Sequence, residues 1–246
     1  MKIGIITDSS AYLNHEYIDK HKIKLAYLKV IVDGNSYNEL LEISNDEVFD
    51  YLDKNMKVSS SQPSPEDFVK LYEEFKEEGY TDIIAIHLSS NISGTYQYSK
   101  IASELVEGLN VHFFDSQSAS IEEEIFIDKA IEMIKTSSKP NQILEKLSNL
   151  REKSKIRITI DDLMTLVRGG RLSLTKAKFG NLLKLKPILG LVDGKVEIID
   201  KVRTNKKVIA KIVSEVTEDF EKFGPLIVNI THVNSIDIAK IIKKQI

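Results

Sequence analysis

The stretch Asp82-Ile83-Ile84-Ala85-Ile86-His87-Leu88, followed by Ser89-Ser90-Asn91-Ile92-Ser93-Gly94-Thr95, decides the fold that this sequence predicts. The first part is an apolar run without polar alternation, which is typical of a strand buried on both faces. The small polar residues after it predict a loop, and a helix is expected from Thr95 to about Glu107, ending at Gly108. The stretch therefore predicts a strand–loop–helix unit of a parallel sheet.

Three more runs rich in Ser and Thr occur, and two of them also follow strand-like segments. Thr7–Ser10 follows the strand predicted for 2–7, Asp115–Ser120 follows the strand predicted for 111–114, and Ser59–Ser64 precedes a helix that begins at Pro65. Any single Ser is an ordinary helix N-cap. Loops at the carboxyl ends of parallel strands, however, line the ligand crevice of α/β proteins. We therefore expect a cradle of hydroxyl and N–H groups for a carboxylate or a phosphate.

The order of elements predicts an α/β fold with two domains. Residues 1–154 are expected to form a parallel-sheet α/β layer domain with anion-binding Ser loops, and residues 155–246 a smaller α+β domain. In the first domain we further predict a strand at 25–32 and helices at 14–21, 44–54, 122–135 and 140–153. In the second we predict strands at 157–160, 188–192, 195–202 and 226–232. We predict its helices as a short one that ends at 168, two that span 175–182 and 205–223, and a last one at the C-terminus.

Composition narrows the functional classes. The 246 residues are 42% hydrophobic and contain no Cys, which excludes disulfides and thiolate metal sites. No apolar run approaches the length of a membrane span, so we expect a cytoplasmic protein without a signal peptide or membrane insertion. The net charge of −3 combines −12 in residues 1–150, +10 in residues 151–211 and −1 in residues 212–246. The basic half has no aromatic-rich motif, and we expect no nucleic-acid partner.

Motifs for catalysis are absent from the sequence. It has no phosphate-binding Gly-rich loop, no nucleophile elbow and no His spacing suited to zinc. His87 ends a strand beside the Ser89 loop, so it is either a structural polar residue or a functional one, acting as a base or as a phospho-acceptor. Asp8 and Asp115 each cap a helix or hold a loop N–H, and neither has an evident acid–base partner. The sequence thus favours a binding protein over an enzyme, with no metal and no cofactor.

Seven motifs in order resemble the DegV family, the bacterial fatty-acid-binding proteins. They are Ile3-Gly4-Ile5-Ile6-Thr7-Asp8-Ser9-Ser10-Ala11, Ser60-Ser61-Gln62-Pro63-Ser64-Pro65, Leu88–Tyr96, Asp115–Ser120, Gly169-Gly170-Arg171-Leu172-Ser173, Lys186-Pro187-Ile188-Leu189 and Asp193-Gly194-Lys195 with Lys201-Val202-Arg203. The resemblance implies one long-chain fatty acid buried between two domains.

Site residues follow from the same resemblance. Its head-group contacts correspond to Ser60 and Ser93, flanked by Ser61 and Gly94, and position 60 has Ser where Thr is usual. Some family members present the carboxyl group to a fatty acid kinase for conversion to acyl phosphate. The resemblance therefore implies a role for Arg171 and Arg203 in engaging that kinase or the phosphorylated head group.

Two departures from the family pattern affect the ligand. Glu122, Glu123 and Glu124 replace a glycine-containing apolar helix start, so either these carboxylates face solvent or the ligand differs. The family also continues beyond the position of Ile246 into a loop bearing a His that contacts the carboxylate, so we expect the second domain to be shortened relative to the family. Two rival functions stay open: a phosphotransferase with His87 as phospho-acceptor, and an interaction protein using the basic half.

Overall fold

The computed structural model describes residues 2–173 and 185–246. It divides into two compact units. The first contains Met1–Ser154 together with Asp193–Lys195, and the second contains Lys155–Val192 and Val196–Ile246. Whether these units are the two predicted domains stays a prediction.

The first unit contains seven strands and six α-helices within the described residues. The strands are β1 (Ile3–Asp8), β2 (Lys24–Ala26), β3 (Lys29–Val32), β4 (Asn35–Asn38), β5 (Val58–Ser61), β6 (Asp82–His87) and β7 (Asn110–Asp115). The helices are α1 (His15–His21), α2 (Asn45–Asp53), α3 (Pro65–Glu77), α4 (Thr95–Ser103), α5 (Ile121–Lys135) and α6 (Pro140–Arg151). A short 3₁₀ turn, Ser9–Ala11, follows β1.

The main sheet is parallel, as the sequence predicts. Its strand order is β2-β1-β6-β7, and all three pairings are parallel. In register, Ile5 lies opposite Ile84, and Ala85 lies opposite Phe113. The carboxyl ends of β1, β6 and β7 therefore meet at one edge, where three of the Ser/Thr runs begin.

Two apolar cores cover the two faces of this sheet. Ile84 and Ile86 pack with Phe126 and Ile127 of α5, whereas Ile83 and Ala85 pack with the aromatic residues of α3. Successive residues of β6 thus point to opposite cores, which explains why the strand has no polar alternation. The mixed α/β fold with helices on both faces is confirmed.

A small antiparallel sheet, β4-β3-β5, corrects the strand predicted for 25–32. That segment forms β2 and β3, which belong to different sheets, because Leu28 leaves the ladder. Its N–H donates to Ser9 Oγ at 2.9 Å, and its carbonyl accepts from the Glu39 N–H at 2.8 Å. The strand β5 was not predicted, so Ser60 lies in a strand rather than in a loop.

The second unit contains α7 (Leu163–Arg168), the hairpin strands β8 (Lys186–Val192) and β9 (Lys195–Val202), α8 (Asn205–Phe223) and α9 (Ile236–Gln245). Asp193 and Gly194 both have positive φ, 48° and 76°, as the tight turn of this hairpin requires. The hairpin and the helix at 205–223 agree with prediction. The helix predicted for 175–182 lies outside the described residues.

Two strand predictions in this unit are wrong. Residues 157–160 contribute only one bridge, between Ile158 and Leu189, and residues 226–232 form no strand although the structure describes them. A strand requires a neighbour for its N–H and C=O groups. In the described ranges the second segment has none, and Ile227 is 92% exposed. The end of one predicted helix also differs: α4 ends at Ser103 rather than near Glu107. The N–H groups of residues 104–106 bond to carbonyls three residues earlier, as in turns, and not four residues earlier, as in an α-helix.

Gly4 provides a test of the close packing under β1. A Cβ atom there would lie 2.6 Å from Cε1 of Phe75, whose ring is fully buried, and 3.1 Å from Cδ1 of Ile83. We expect Gly4→Ala to lower the free energy of unfolding by about 1–3 kcal/mol through overpacking, measured by chemical denaturation. In a Phe75→Leu background the loss should be smaller, because the two changes are coupled. An equal loss in both backgrounds would contradict this packing argument.

Candidate ligand-binding site and its buried polar network

The loops after β6 and β7 are bound to each other by hydrogen bonds. The Ser89 N–H donates to the Ser118 carbonyl at 2.7 Å, and the Ser116 N–H donates to the His87 carbonyl at 3.1 Å. Asp115 Oδ1 accepts from the N–H groups of Ser90 and Gln117, both at 3.1 Å. Asp115 thus holds loop N–H groups, one of its two predicted roles, and these two Ser runs form one connected edge of the candidate site.

The loop after β6 also adjoins the Ser-Gln-Pro run, and the contact lies at Gly94. A Cβ atom on Gly94 would lie 3.3 Å from Cδ of Gln62, so the Ser-Gly-Thr run lies against the Ser-Gln-Pro run. Ser60 is exposed in β5, opposite Val30 of β3, and its hydroxyl has no hydrogen-bond partner among the described residues. The half-buried Ser61 donates its hydroxyl to the Gln62 carbonyl at 3.0 Å.

The N-terminus of α4 has no side-chain cap from its N-cap residue. Gly94 occupies the N-cap and supplies no side-chain cap. Ser93 is half-buried; its Oγ accepts the Thr95 N–H at 3.3 Å and lies 2.8 Å from Thr95 Oγ1. The following N–H groups of the first turn have no partner within a helix, and they carry the positive end of the helix dipole. A carboxylate or phosphate oxygen is a suitable partner for them.

Beneath these loops, Asp8 is fully buried and accepts four hydrogen bonds. Oδ1 accepts from the Ser10 N–H at 3.2 Å and the Ser10 hydroxyl at 2.7 Å. Oδ2 accepts from the Leu88 N–H at 3.1 Å and lies 3.0 Å from His87 Nδ1. Asp8 therefore ties the end of β1 to the end of β6. The expectation that Asp8 lacks an acid–base partner is wrong, because His87 is that partner.

His87 extends this network into the helices of one face. Its Nε2 lies 2.8 Å from Ser99 Oγ on α4, and Ser99 Oγ lies 2.6 Å from Tyr72 Oη on α3. All three side chains are fully buried. With Nδ1–H donated to Asp8, Nε2 is the acceptor for the Ser99 hydroxyl, and Ser99 accepts from Tyr72. Both ring nitrogens are thus occupied away from solvent, which argues against a phospho-acceptor role.

Two further carboxyl groups flank Asp8 through the consecutive residues Ser9 and Ser10. Ser9 Oγ donates to Glu39 Oε2 at 2.8 Å, and Ser10 Oγ lies 2.5 Å from Glu123 Oε2 on α5. Burial, with Asp8 as the second cause, raises the pKa of Glu123 well above its usual range. Burial also raises the pKa of Glu39, with partial compensation from its bond to Ser9.

The three Glu residues at the start of α5 do not all face solvent. Glu122 is 8% exposed and bonded to Ser118, Glu123 is fully buried, and Glu124 is half-buried. Burial raises the pKa of Glu122 and Glu124. Helical spacing contained the missed signal: Glu123 precedes the buried Phe126 and Ile127 by three and four residues, so it lies on the core face. The same spacing places Ser99 one turn after Thr95.

The remaining site residues lie in the second unit. Arg171 is half-buried and donates from Nη1 to the Gly169 carbonyl at 2.6 Å, whereas Arg203 is exposed directly after β9. Across residues 2–173 and 185–246, no group of three or more His, Asp or Glu side chains is arranged to hold a metal ion. Of the helices in the described ranges, none has the combined length and hydrophobicity needed to cross a membrane.

Comparison with known proteins gives one consistent family. The family described as uncharacterised proteins of the DegV family matches residues 2–246. A DegV domain-containing protein of Staphylococcus aureus (strain N315) is 40% identical over 237 residues, covering 94% of this chain and 82% of the relative. The crystal structure of DegV, a fatty-acid-binding protein from Bacillus subtilis, is 32% identical, with a TM-score of 0.86 over 99% of this chain and 87% of that one.

A second solved structure extends the comparison. The fatty-acid-binding DegV family protein from Streptococcus agalactiae is 28% identical to this chain. Its TM-score is 0.88, and the match covers 100% of this chain and 87% of that one. The α/β arrangement described above, a parallel sheet with helices on both faces, is therefore shared with proteins that bind fatty acids.

Asp8→Asn tests how far the fold depends on the buried carboxylate. An amide keeps only one acceptor oxygen. Its N–H₂ group replaces the other oxygen and faces the hydrogen-bond donors that this oxygen accepts from in the wild type, so at least two charge-assisted bonds are lost. We expect the free energy of unfolding to fall by about 2–5 kcal/mol, measured by urea denaturation. The exposed Asp50→Asn on α2 is the control and should change stability by less than about 0.5 kcal/mol. Equal effects of the two variants would show that the network contributes little.

Proposed function

Since the chain belongs to the DegV family, we propose that it binds a long-chain fatty acid, with the carboxylate held by the hydroxyls of Ser60 and Ser93. The observation that carries the proposal is the contact of the two loops at Gly94 and Gln62, which brings the Ser-Gln-Pro and Ser-Gly-Thr runs side by side. Relatives of the same fold from Bacillus subtilis and Streptococcus agalactiae are fatty-acid-binding proteins.

The chemistry of the head group suits these residues. Ser60 offers an exposed hydroxyl without a partner in the described residues, and Ser93 directly precedes Gly94, the N-cap of α4, which supplies no side-chain cap. Because Gly94 has no Cβ, the Gln62 side chain can pack against the start of α4. Ser61 orients the strand end by bonding to the Gln62 carbonyl. Hydroxyl and N–H donors favour a carboxylate over a neutral head group.

The hydrocarbon tail supplies most of the affinity in this proposal. Each buried methylene contributes about 0.8 kcal/mol, so a chain of about 14 methylenes gives roughly 11 kcal/mol before the cost of binding. One hydrogen bond to the charged head group adds about 1.5–3 kcal/mol. The Ser hydroxyls therefore set the direction of the ligand and select acids over alcohols, while the tail sets the overall strength of binding.

The protein acts as a binding protein rather than as an enzyme in this reading. A phosphotransferase reaction at His87 would need the ring to leave a fully buried position where both nitrogens have partners. Incubation with a phosphoryl donor, followed by a search for phosphohistidine, distinguishes that rival. An interaction protein that uses only the basic half would carry no lipid after purification.

A fatty acid kinase is the partner that fits the second unit in this proposal. The head group would be presented for conversion of the carboxylate to an acyl phosphate. Arg171 and Arg203 supply cationic groups in the basic part of the chain, where residues 151–211 carry a net charge of +10. Guanidinium groups bind phosphate oxygens in a bidentate manner. The two arginines would therefore contact the kinase or the phosphorylated product.

Ser93→Ala tests the head-group assignment. Organic extraction of the purified wild-type protein should release long-chain fatty acid, and the variant should still release lipid because the tail dominates affinity. The variant should lose about tenfold in affinity for the acid and little for the matching alcohol, since one charge-assisted bond is removed. Competition between acid and alcohol, followed by native mass spectrometry, measures this selectivity.

Ser103→Ala at the end of α4 is the matched control, because Ser103 Oγ bonds only to the Lys100 carbonyl among the described residues. It should keep the selectivity of the wild type. If the wild-type extract holds no fatty acid and added fatty acid does not bind, the proposed function is wrong. Unchanged acid–alcohol selectivity in Ser93→Ala would remove only the assignment of Ser93.

Arg171→Ala should spare lipid binding and lower acyl-phosphate formation by a cognate kinase at least tenfold. The physical reason is the loss of a guanidinium that binds phosphate or an acidic surface. Arg168→Ala is the control, because Arg168 is exposed on the same segment and is already paired with Asp162 at 2.8 Å. Equal rates of acyl-phosphate formation for wild type and Arg171→Ala would exclude this role.

A further inference from the structure

The geometry assigns a proton to the buried carboxyl group of Glu123, and from it we infer that Glu123 is a positioning residue for the head-group site. As a neutral carboxylic acid it holds Ser10 and Asp8 in place, and through Asp8 it holds the loop that leads to Ser93. Loss of this proton should weaken binding of the anionic ligand. The part of the inference that concerns ligand binding rests on the proposed function, and the part that concerns the proton does not.

The number of available hydrogens requires a protonated carboxyl group. Ser10 Oγ lies 2.7 Å from Asp8 Oδ1 and 2.5 Å from Glu123 Oε2, and a hydroxyl has one proton to donate. If both carboxyl groups were ionised, one of these two oxygen pairs would have no hydrogen between its atoms. Two oxygens at such a distance, one of them charged and both buried, would repel each other. One of the two carboxyl groups therefore donates to Ser10.

Glu123 is the group that carries the proton. Asp8 accepts bonds from two backbone N–H groups and faces the His87 ring, so its negative charge is well compensated. Glu123 is less well compensated: its side chain is fully buried, Oε1 has no hydrogen-bond partner in the described residues, and besides Ser10 only the Ser120 backbone N–H lowers its pKa. An ionised carboxylate without partners is costly to bury, whereas a neutral acid is not. Glu123 thus donates to Ser10, and Ser10 donates to Asp8.

The other titratable groups around this pair reinforce the assignment. Asp8, at the end of β1, is the nearest charge, and Glu39 adds a third carboxyl group through Ser9. His87 on β6 contacts Asp8, and Tyr72 on α3 joins through Ser99. On α5 itself, Glu122 is turned to Ser118, and Glu124 lies near Asp128. Nothing on these elements places a Lys or Arg against Glu123 in the described residues, so the surroundings favour the neutral acid.

The chain of bonds reaches the first Ser/Thr run and the loop after β6, and it enters the helices that follow the other runs. Asp8 and Ser10 belong to the first run, and Asp8 also fixes the Leu88 N–H at the start of the loop that carries Ser93. Through His87 and Ser99 the bonds reach α4, which begins directly after Gly94, and through Tyr72 they reach α3, which begins directly after Ser64. Glu123 itself lies in the first turn of α5, directly after Ser120. Glu123 is thus connected by hydrogen bonds, through Ser10 and Asp8, to the start of the loop that carries Ser93.

Glu123→Gln separates the effect of the proton from that of the side chain's shape, because the amide N–H₂ can donate to Ser10 as the acid does. The first measurement is infrared difference spectroscopy near neutral pH, in which wild type should show the C=O band of a protonated carboxylic acid that the variant lacks. The second is palmitate affinity between about pH 6 and 9. Wild-type affinity should fall as the pH rises, by at most about tenfold per unit for one coupled proton, and Glu123→Gln should show no such fall.

The sign of the pH effect follows from linkage. Because the folded state holds the proton more tightly than the unfolded chain, whose Glu pKa is near 4.5, the stability from Glu123 is complete below that value. It is lost as the pH rises through the folded-state pKa. Thermal unfolding of wild type and variant should therefore diverge towards alkaline pH.

Glu132→Gln is the control, since Glu132 is exposed on the same helix and paired with Lys129. It should keep the infrared band and the pH dependence of wild type. If Glu123→Gln does not fold, Ser10→Ala should keep the band and lose the coupling to palmitate affinity. A wild-type spectrum without the band, or an equal pH slope in Glu123→Gln, overturns the inference. If the band is present and palmitate does not bind, the proposed function fails while the protonated Glu123 stands.

Discussion

The burial of the Asp8 carboxylate is the constraint on which this end of the molecule depends. An unpaired charge in an apolar interior costs several kcal/mol, and only well-placed donors offset that cost. Here the donors come from the backbone of Ser10 and Leu88, the hydroxyl of Ser10 and the ring of His87. Since these groups belong to the ends of β1 and β6, they must stay in register for the charge to remain buried. The network therefore fixes the edge of the sheet at which the Ser/Thr runs meet.

Much of the fold was predictable because the strongest signals are local. Uninterrupted apolar runs such as Ile83–Ile86 indicate strands covered on both faces, and the capping residues Ser44 and Ser64 mark the starts of α2 and α3. Where tertiary pairing decides, the prediction failed. The segment 226–232 has a strand-like composition, but a strand forms only where another strand accepts its hydrogen bonds. The segment 25–32 is apolar throughout, yet Leu28 bonds to Ser9 and Glu39 and divides it between two sheets.

The sequence predicted which loops come together at the candidate site, but it did not predict the buried hydrogen bonds beneath those loops. Parallel strands place their carboxyl ends at one edge, so the loops after β1, β6 and β7 had to be neighbours. The contacts beneath them join residues 79 and 113 positions apart, as in the Asp8–His87 and Ser10–Glu123 pairs. No spacing rule connects residues at such separations. The periodicity of α5 did contain the information that Glu123 faces the core, because it shares a helix face with Ile127.

A neutral Glu123 also resolves the conflict between a row of carboxyl groups and an anionic ligand. Three ionised groups at Asp8, Glu39 and Glu123 would oppose a carboxylate bound at the same edge of the sheet, because interactions between charges are strong where water is excluded. A proton on Glu123 removes one of these charges and supplies a hydrogen-bond donor to Ser10. Linkage is reciprocal, so a bound anion in turn strengthens the hold on the proton. Proton and ligand would then stabilise each other, and the acidic start of α5 would support binding of the anion rather than oppose it.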